Sequence, residues 1–398
     1  MPEKTSRPPA ADPAENGAPR PTLKSLAAHL GLSMATVSLV LSNSPLAQSL
    51  SHETRRRVHE AARQFNYRPN YFARGLMRKR SYLVGIVVPE IGQGYVAEIL
   101  AGIERELSED KYFYFVASHL WDPSLIKEVP SLLVERGAEG VILVNTALPE
   151  PLPVPVVTVG GKLAAQQAVN IQIDNATGVR AALSLLKQQG HSRIAFFKGH
   201  KGSADTEHRW HAIQTAARQL GLKVDPKLVV QLVKTSPDPS SEDEGFAAIK
   251  KLLARGEKFT ALFAFNDVSA IGAMWGLRDS GLRIPEDVSV IGFDDVPAAR
   301  FQVPRLTTVA QPLRTIGALS AKSLLQFLKN EGPVPAEIFV QPELVLREST
   351  IALTASKPRA ARKTKAVLPP PASMRRGRET ATVGTSNYSL DNAPGCDS

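Results

Sequence analysis

Residues 22–42 read TLKSLAAHLGLSMATVSLVLS, and the spacing of their apolar residues decides the fold of the N-terminal part of the chain. Thr22 can cap a first helix by accepting a hydrogen bond from a free backbone N–H. The apolar face of that helix, at helical spacing, consists of Leu26, Ala27 and Leu30. Gly31 ends the helix, because glycine adopts the left-handed conformation without steric cost, and Ser33 can cap a second helix. The stretch therefore predicts two short helices around a tight turn.

The second helix has an inner and an outer face. The inner face is predicted to be Val37, Val40 and Leu41. The outer face, near the start of the helix, is predicted to be Met34, Ala35, Thr36, Ser38 and Leu39. Ser51 can cap a third helix, which is predicted to bury Val58, Ala61, Ala62 and Phe65. This layout is a helix-turn-helix, whose second helix can enter the major groove of DNA. The alternative is a small helical subdomain that binds protein.

The charge distribution favours DNA as the partner of these helices. The whole chain has a formal net charge of +10. Residues 21–81 carry +8 and residues 352–398 carry +5, whereas residues 82–351 sum to −3. Positive charge is thus concentrated at the helical head and in the tail, as expected where phosphates have to be neutralised. Arg55-Arg56-Arg57, in the third helix, is predicted to meet phosphates.

Length and composition divide the chain further. A chain of 398 residues is long enough for two or three domains. The single cysteine, Cys396, allows no internal disulfide, which fits a reducing cytoplasm. Residues 1–20 are rich in Pro and Ala and have no continuous apolar run, so we expect a disordered extension rather than a signal peptide or a membrane span. Residues 354–398 are predicted to be a disordered basic tail.

Residues 82–350 alternate between strand and helix patterns, which predicts an α/β fold. The run from Tyr82 to Val88 is continuously apolar and ends at Pro89, as is typical of a buried parallel strand. Further strands are predicted at 112–117, 140–144, 156–159, 193–197, 229–232, 261–264 and 288–292. Helices are predicted at 96–108, 125–136, 178–189, 209–220, 244–254 and 268–280. The pattern is long enough for two doubly wound parallel sheets, whose ligands collect beyond the carboxyl ends of strands.

Several polar residues follow these strands. Asn266 and Asp294 suit contacts with the hydroxyl groups of a small polar molecule, because amide and carboxylate groups bond to paired hydroxyls. Arg209, predicted to open a helix, adds a rigid fork of donors. By contrast, the neighbouring acids are predicted to cap helices: Asp174, Asp267 and Asp295.

The chain resembles the LacI/GalR family of transcriptional regulators over nearly all of residues 21–350. In the head, the resemblance rests on Thr22-Leu23, Leu26-Ala27, Gly31-Leu32-Ser33, Thr36-Val37-Ser38 and the run from Asn66 to Asn70. In the body it rests on the runs from Gly85 to Pro89 and from Ile284 to Asp295, Gly190-His191, Asn266-Asp267, and Leu306-Thr307-Thr308-Val309 with Gln311. The resemblance implies a helix-turn-helix head on a periplasmic-binding-protein-like core, acting as a homodimer that bends double-stranded operator DNA.

The resemblance also implies an organisation and a set of functional residues. The helix-turn-helix would span 21–68, the hinge 69–81 and the effector-binding core 82–350, with an N-subdomain of 82–173 and 311–342 and a C-subdomain of 174–310. The predicted DNA contacts are Thr22, Ser33, Met34, Ala35, Thr36, Ser38, Leu39, Arg55, Asn70, Ala73 and Leu76. The predicted contacts with a sugar-like effector are Tyr95, Arg209, Asn266, Asp294 and Gln311. No cofactor, metal or catalytic residue is predicted.

The sequence departs from the family pattern at several positions, so the operator and the effector of a known member cannot be assigned to this chain. Leu39 follows the Thr-Val-Ser run where the family usually has Arg, and Ser42 stands where Asn is usual. Gly160-Gly161 stands where an Asp often follows the strand, which removes one expected polar contact from the effector site.

Other functions remain as alternatives. An exported solute-binding protein would explain the core, but it should carry a signal peptide and has no use for the head. An enzyme would need a catalytic set that the sequence does not offer. The run from Gly92 to Ala97 matches G-x-G-x-x-A, yet three residues separate the strand from its first glycine, so a dinucleotide site is disfavoured. His208 and His211, without a third ligand, indicate a surface pair rather than a metal site.

Overall fold

The structure, a computed structural model, describes residues 21–42, 44–67, 80–92, 94–148, 150–165, 167–201, 203–233 and 241–353. The predicted hinge residues Asn70, Ala73 and Leu76 and the two predicted terminal segments lie outside this part of the chain.

The head, residues 21–67, is a helix-turn-helix followed by a third helix. It contains α1 (Leu23–Leu30), α2 (Met34–Leu41), a 3-10 turn (Pro45–Ser49) and α3 (His52–Gln64). The predicted caps are confirmed, since Thr22, Ser33 and Ser51 each accept a backbone N–H three residues on. Gly31 follows α1 with a φ of 66°, in the left-handed region that glycine favours.

One apolar cluster holds the three helices of the head together. It consists of Leu26, Ala27, Leu30, Val37, Val40, Ala47, Val58, Ala61 and Ala62. The prediction was wrong for Phe65, which is 39% exposed. Phe65 lies just past the end of α3, beyond its buried face, and its ring meets that of His29 edge-on at 4.6 Å between centroids.

The core, residues 80–353, contains two sheets with helices on both faces. Its helices are α4 (Gly94–Glu109), α5 (Pro123–Glu135), α6 (Asn175–Gln188), α7 (Ala204–Gln219), α8 (Ser241–Ala254), α9 (Asp267–Asp279), α10 (Pro297–Arg300) and α11 (Leu313–Lys329), with a 3-10 turn at Pro226–Leu228. Its strands are β1 (Leu83–Val88), β2 (Phe113–Ser118), β3 (Gly140–Val144), β4 (Val156–Val159), β5 (Ala168–Ile173), β6 (Ile194–Lys198), β7 (Val229–Gln231), β8 (Ala261–Phe263), β9 (Ser289–Asp294), β10 (Thr307–Ala310), β11 (Glu337–Val340) and β12 (Glu343–Val345).

Each sheet defines a subdomain. The first sheet has the strand order β11-β5-β4-β3-β1-β2 and is parallel throughout. The second has the order β12-β10-β9-β8-β6-β7 and is parallel except for β12, which runs antiparallel to β10. The predicted architecture of two doubly wound, mainly parallel sheets is thus confirmed.

The strands are apolar on both faces because helices cover both faces. In the first subdomain, Ile86 of β1 faces a core shared with Ile103 of α4 and Leu324 of α11, whereas the next residue, Val87, packs with Leu133 of α5. The same alternation occurs at β6 of the second subdomain. This period of two places β1 and β6 between two layers of helix.

The chain passes between the two sheets three times. It leaves the first sheet after β5, returns after β10, and leaves it again between β11 and β12. The sequence-based assignment missed β5, β10, β11, β12 and the helices α10 and α11. It also placed the start of α7 five residues late, so Arg209 lies within this helix and does not open it.

Glycines allow two pairs of helices to touch backbone to backbone. A Cβ atom on Gly102 of α4 would lie 2.1 Å from the carbonyl oxygen of Arg314, and one on Gly317 of α11 would lie 2.0 Å from that of Ile99. In the second subdomain, Gly245 and Gly272 play the same part for α8 and α9. These close crossings fix where each helix pair lies on its sheet.

Among the described residues, no single helix has the length and apolar character needed to cross a bilayer. The helices α1 and α2 meet that test only when they are joined, and they are bent by 107° at their junction.

Candidate functional site

The five residues predicted to contact an effector lie around one cavity. Its walls come from both subdomains. The first subdomain supplies Tyr95 from the start of α4, and Gln311 lies where the chain returns between β10 and α11. The second supplies Arg209, Asn266 and Asp294, of which the last two lie at the carboxyl ends of β8 and β9. The cavity therefore occupies the edge where ligands collect in open α/β sheets.

Arg209 is the buried cation of the cavity, with 3% of its surface exposed. Its Nε donates to Asn175 Oδ1 at 3.0 Å, and Nη1 donates to the carbonyl oxygen of Phe265 at 2.7 Å. The guanidinium lies 3.8 Å from the ring centroid of Phe293 and 4.6 Å from that of Phe265. Bonds and ring contacts together hold the side chain in one orientation, so it presents fixed donors to the cavity.

Asp294 ends β9 and is buried. Gln311 Nε2 donates to its Oδ1 at 2.6 Å. Burial raises the pKa of Asp294 to about 7, although Arg209 and the bond from Gln311 oppose the rise. Its φ of 118° is one that side chains other than glycine rarely adopt, and such strain is often retained at binding sites.

Asp205 lines the cavity and was missed by the sequence analysis. It lies in the first turn of α7, and its Oδ2 is 3.8 Å from the guanidinium of Arg209 one turn later. Burial raises its pKa, while the Coulomb interaction with Arg209 lowers it. A Cβ atom on Gly160 would lie 2.9 Å from Asp205 Oδ2. The glycine that appeared to remove a polar contact thus makes room for a carboxylate from the opposite subdomain.

Asn145 was also missed, and it links the two subdomains beside the cavity. It follows β3 with a φ of 45°, and its Oδ1 accepts from Ser203 Oγ at 3.0 Å and from the backbone N–H of Asp205 at 3.3 Å. Its Nδ2 donates to the hydroxyl of Tyr95 at 3.5 Å, and burial raises the pKa of that hydroxyl. The signal was available, because an Asn directly after a buried strand resembles Asn266 in its setting.

The acids that were predicted to be helix caps have three different roles. Asp174 caps α6, as predicted, by accepting from the N–H of Thr177 at 3.0 Å. Asp267 does not cap α9; Asn266 does, so that residue both lines the cavity and caps a helix. The buried Asp267 instead accepts from Thr308 and from the N–H of Val296. Asp295 pairs with Arg300 and Arg347.

The stability of the protein should fall as the pH rises from about 4 to about 7. The pKa of Asp294 is about 7 when folded and near 3.8 in an unfolded chain. Between these pH values the folded state holds one proton more than the unfolded state, so raising the pH lowers the free energy of unfolding. Above about pH 7 Asp294 is ionised in both states, and its titration no longer changes the free energy of unfolding. We expect Asp294→Asn to flatten this slope and to raise the free energy of unfolding by about 1–3 kcal/mol at pH 8. Urea unfolding of both proteins between pH 5 and 8 measures the free energy of unfolding. The same pH dependence in the two proteins would contradict a raised pKa of Asp294.

The outer face of α2 carries the residues predicted to read DNA. Met34 is 52% exposed and Ala35 lies beside it on the surface, whereas Thr36, Ser38 and Leu39 are half-buried. The hydroxyls of Ser33 and Thr36 are 2.9 Å apart, and Thr22 forms a capping box with Ser25. The start of α2 therefore presents mainly methyl and methylene groups.

The three successive arginines of α3 differ in their partners. Arg56 pairs with Glu53 and Glu60 on its own helix. Arg57 donates to the carbonyl oxygen of Leu30 at the end of α1. The Nε of Arg55 is buried without a hydrogen-bond partner. Of the three, Arg55 is the one with a guanidinium N–H that is left without an acceptor among the residues that the structure describes.

Together, the head and the cavity define a class: a ligand-binding core of two α/β subdomains joined to a helix-turn-helix. The family model for bacterial regulatory proteins of the lacI family matches residues 22–70, and that for the periplasmic binding protein-like domain matches residues 183–350. The HTH-type transcriptional repressor CytR of Escherichia coli (strain K12) is 30% identical over 339 residues, 83% of this chain and 97% of CytR.

Two solved structures are similar along the same length. The complex of the transcriptional regulator CelR with cellobiose is 30% identical with a TM-score of 0.61, over 83% of this chain and all of that one. The lac repressor dimer bound to operator and the anti-inducer ONPF is 26% identical with a TM-score of 0.70, over 84% of this chain and all of that one. The chain belongs to the lacI family, and it is a DNA-binding transcriptional regulator.

Proposed function

We propose that this regulator is a repressor whose affinity for its operator is controlled by a sugar-like effector bound in the cavity. The effector contacts would be Tyr95, Arg209, Asn266, Asp294 and Gln311, with Asn145 and Asp205 added from the geometry. The observation that carries the proposal is the convergence of these residues from two subdomains on one cavity. Rigid donors beside carboxylate and amide acceptors match the paired hydroxyls of a sugar.

The control would act through the relative orientation of the subdomains. A ligand that contacts both subdomains favours one relative orientation over others. It changes the affinity for DNA only by as much as its own affinity differs between these orientations. Asn145 supports this step, because its bonds to Ser203 and Asp205 depend on how the subdomains meet. A sugar that competes for these groups changes the balance between orientations.

The DNA contacts would be made by the head and the hinge. In the head they are Thr22, Ser33, Met34, Ala35, Thr36, Ser38, Leu39 and Arg55; in the hinge they are Asn70, Ala73 and Leu76. On the family resemblance, the hinge would become helical on DNA and Leu76 would enter the minor groove. We propose that a regulator with these contacts acts in the cytoplasm, where it would meet operator DNA.

The first test of DNA reading concerns thymine methyl groups. Met34, Ala35 and Leu39 are apolar and cannot form bidentate bonds with guanine or adenine, but they can contact the methyl group of thymine. Replacing thymine by uracil in the operator half-site should weaken binding by about 1–3 kcal/mol per contacted position. Fluorescence anisotropy with matched duplexes measures the effect, and the same replacement outside the half-sites is the control. Equal affinity for both half-site duplexes would exclude methyl reading.

We further propose that the regulator acts as a homodimer, because one small head buries too little surface for tight specific binding. Large apolar side chains are exposed on both subdomains, with Phe113 64%, Phe301 80% and Val303 81% exposed. A second copy of the chain would cover such surface, as the lac repressor is a dimer in the similar structure.

Deleting residues 354–398 should leave a dimer. This tail contains Pro369-Pro370-Pro371 and scattered basic residues, and it has no leucine heptad that would form a coiled coil. Light scattering of the full chain and of the shortened chain should give the same dimeric mass. A tetramer that falls to a dimer on deletion would overturn the assignment of the interface to the core.

One experiment separates the regulator with a sugar effector from a solute-binding protein. Thermal-shift screening against sugars, sugar phosphates and nucleobases identifies ligands, because a ligand of the folded state raises Tm. Mobility shifts on a duplex selected from a random pool then show whether those ligands change DNA binding. A ligand that raises Tm but leaves the mobility shift unchanged would support the solute-binding function and contradict the regulatory one.

A further inference from the structure

A groove between the helices α6 and α7 has room for a small molecule. Its volume is about 300 Å³, which lies within the range of small-molecule sites. One face of α7 lines it with polar residues three or four positions apart, and α6 and the strand β5 supply further walls. The polar residues used below are His208, His211 and Thr215 of α7, Arg180 of α6 and Gln172 of β5. Because β5 belongs to the first subdomain and both helices to the second, the groove has walls from both subdomains.

Most of these polar side chains have no partner within the part of the chain that the structure describes. The side chains of Arg180 and His211 form no hydrogen bond or ion pair with a described residue, and the same holds for Gln172 and Thr215. Arg180 and His211 are exposed, and the other two are half-buried. Guanidinium, imidazole, amide and hydroxyl groups on three different elements are thus available to a ligand that enters from solvent.

The side chains that face the groove include more potential cations than acids. Arg180 is charged at any physiological pH, and His208 and His211 lie about one turn apart on the neighbouring helix. Among the described residues that line the groove, Asp205 is the one acid. Its Oδ2 is 3.8 Å from the guanidinium of Arg209, and the interaction with Arg209 opposes the rise in the pKa of Asp205. An anion in the groove therefore meets a carboxyl group that already has a cation beside it.

Two further acids near this end of the helices have partners of their own. Asp174 accepts from the backbone N–H and the hydroxyl of Thr177 at 3.0 and 2.8 Å. Glu207 pairs with Lys198 at 2.7 Å. Neither acid lines the groove, so neither would lie directly against an anion bound there.

Small residues leave the space that the groove occupies. Ala212 and Ala216 of α7 are buried along its floor, 8% and 4% exposed. Gly160 closes one end, where a Cβ atom would lie 2.9 Å from Asp205 Oδ2. Ala176, in the first turn of α6, lines the groove but is exposed. A larger side chain at position 176 would therefore occupy the groove without displacing a buried residue.

We propose that this groove is a second ligand site, separate from the effector cavity, and that it binds a small oxyanion. Phosphate or carboxylate oxygens accept charge-assisted hydrogen bonds from Arg180 and His211, and the amide of Gln172 and the hydroxyl of Thr215 bind the polar remainder. This site goes beyond the proposed function, which assigns a ligand to the effector cavity alone. A ligand that contacts Gln172 in the first subdomain and Arg180 in the second favours the relative orientation seen here.

The test uses defined anions and four variants. Wild-type protein is titrated calorimetrically with inorganic phosphate, glycerol 3-phosphate and citrate, which separate phosphate from carboxylate recognition, and with glycerol as the uncharged control. Arg180→Gln and His211→Gln each remove one basic group, and Ala176→Leu fills the groove. Arg218→Gln is the matched control, because Arg218 is exposed on the same helix, α7, but does not line the groove.

At least one of the three anions should bind with a Kd of about 1 mM or lower, and glycerol should bind more weakly. Arg180→Gln and His211→Gln should each weaken that anion by about 3–10-fold, as expected for the loss of one charge-assisted hydrogen bond at an open site. Ala176→Leu should weaken it as well, because the ligand loses its space. Arg218→Gln should bind as the wild type does. All four substitutions are at exposed positions, so Tm should stay within about 2 °C of the wild type.

The inference is overturned if none of the three anions binds, or if glycerol binds as tightly as glycerol 3-phosphate. It is also overturned if Arg180→Gln and His211→Gln bind the anion as tightly as Arg218→Gln does, since the anion then binds elsewhere, for example on the basic head. Binding that is lost in Asp294→Ala but kept in Arg180→Gln would assign the anion to the effector cavity. That result would contradict the groove site and leave the proposed effector cavity standing.

Discussion

Arg209→Ala is expected to lower the free energy of unfolding by about 3–5 kcal/mol, the usual result of removing one partner from a buried charge pair. The variant would remove the guanidinium that opposes the rise in the pKa of both Asp205 and Asp294. It would also remove the bonds to Asn175 and Phe265 that link α7 with α6 and with the end of β8. We expect effector binding to be lost as well, while the folded fraction still binds operator DNA. Urea unfolding and calorimetric titration measure the two effects.

The matched control is Arg218→Ala, which removes an exposed arginine from the same helix and should change stability by less than about 0.5 kcal/mol. The variant Arg209→Ala with Asp205→Asn should recover part of the lost stability, because the uncompensated charge is removed. If Arg209→Ala is as stable as Arg218→Ala, the guanidinium does not hold the cavity together.

Asp294→Ala is expected to abolish the effector response and to leave operator binding in the absence of effector nearly intact. A hydrogen bond from a ligand hydroxyl to an ionised carboxylate contributes about 1.5–3 kcal/mol, so its loss weakens binding by about 10–150-fold. The same reasoning predicts that the effector binds more tightly as the pH rises through about 7, where Asp294 ionises. Calorimetric titration of both proteins between pH 6 and 8 measures the change.

A purely structural role for Asp294 gives a different result. If the residue only braces the turn that follows β9, its replacement lowers Tm without changing the affinity for the effector. Asp294→Asn is the informative second variant, because it keeps the shape of the side chain at this strained φ. If Asp294→Ala is destabilised but both variants bind the effector as tightly as the wild type does, Asp294 is not part of the effector site.

Much of the head could be predicted from local chemistry alone. Capping by Thr22, Ser33 and Ser51, the turn at Gly31 and the buried face of α1 all depend on residues within four positions of one another. Phe65 is the exception, because its exposure depends on where α3 ends. Helix ends are decided by the competition between caps and packing, which the sequence pattern does not resolve.

The core was predictable where a strand is a continuous apolar run, as at β3 and β4, whose bounds were predicted correctly. A strand was not predictable where only its pairing with a distant strand makes the segment a strand. β12 has three residues and is a strand only because it pairs antiparallel with β10. Gly102 and Gly317 look like ordinary helix weakeners in the sequence, and only the contact between α4 and α11 explains them.

Some residues of the cavity could likewise be predicted from the sequence, and others could not. Asn266 and Asp294 were recognisable because they follow strands, and parallel strands bring their carboxyl ends to one edge. Asp205 escaped notice because it lies in a helix, and its place in the cavity depends on the absence of a side chain at Gly160, 45 positions earlier in the sequence.

The most direct test of control by the cavity is a reciprocal measurement. The operator is selected from a random duplex pool, and the ligand is the sugar that raises Tm most. Operator affinity is measured with and without saturating ligand, and ligand affinity with and without saturating operator. We expect both ratios to be the same factor, within the range of about 5–150-fold that is typical of coupled sites. An operator affinity that is identical with and without ligand bound in the cavity would contradict the account.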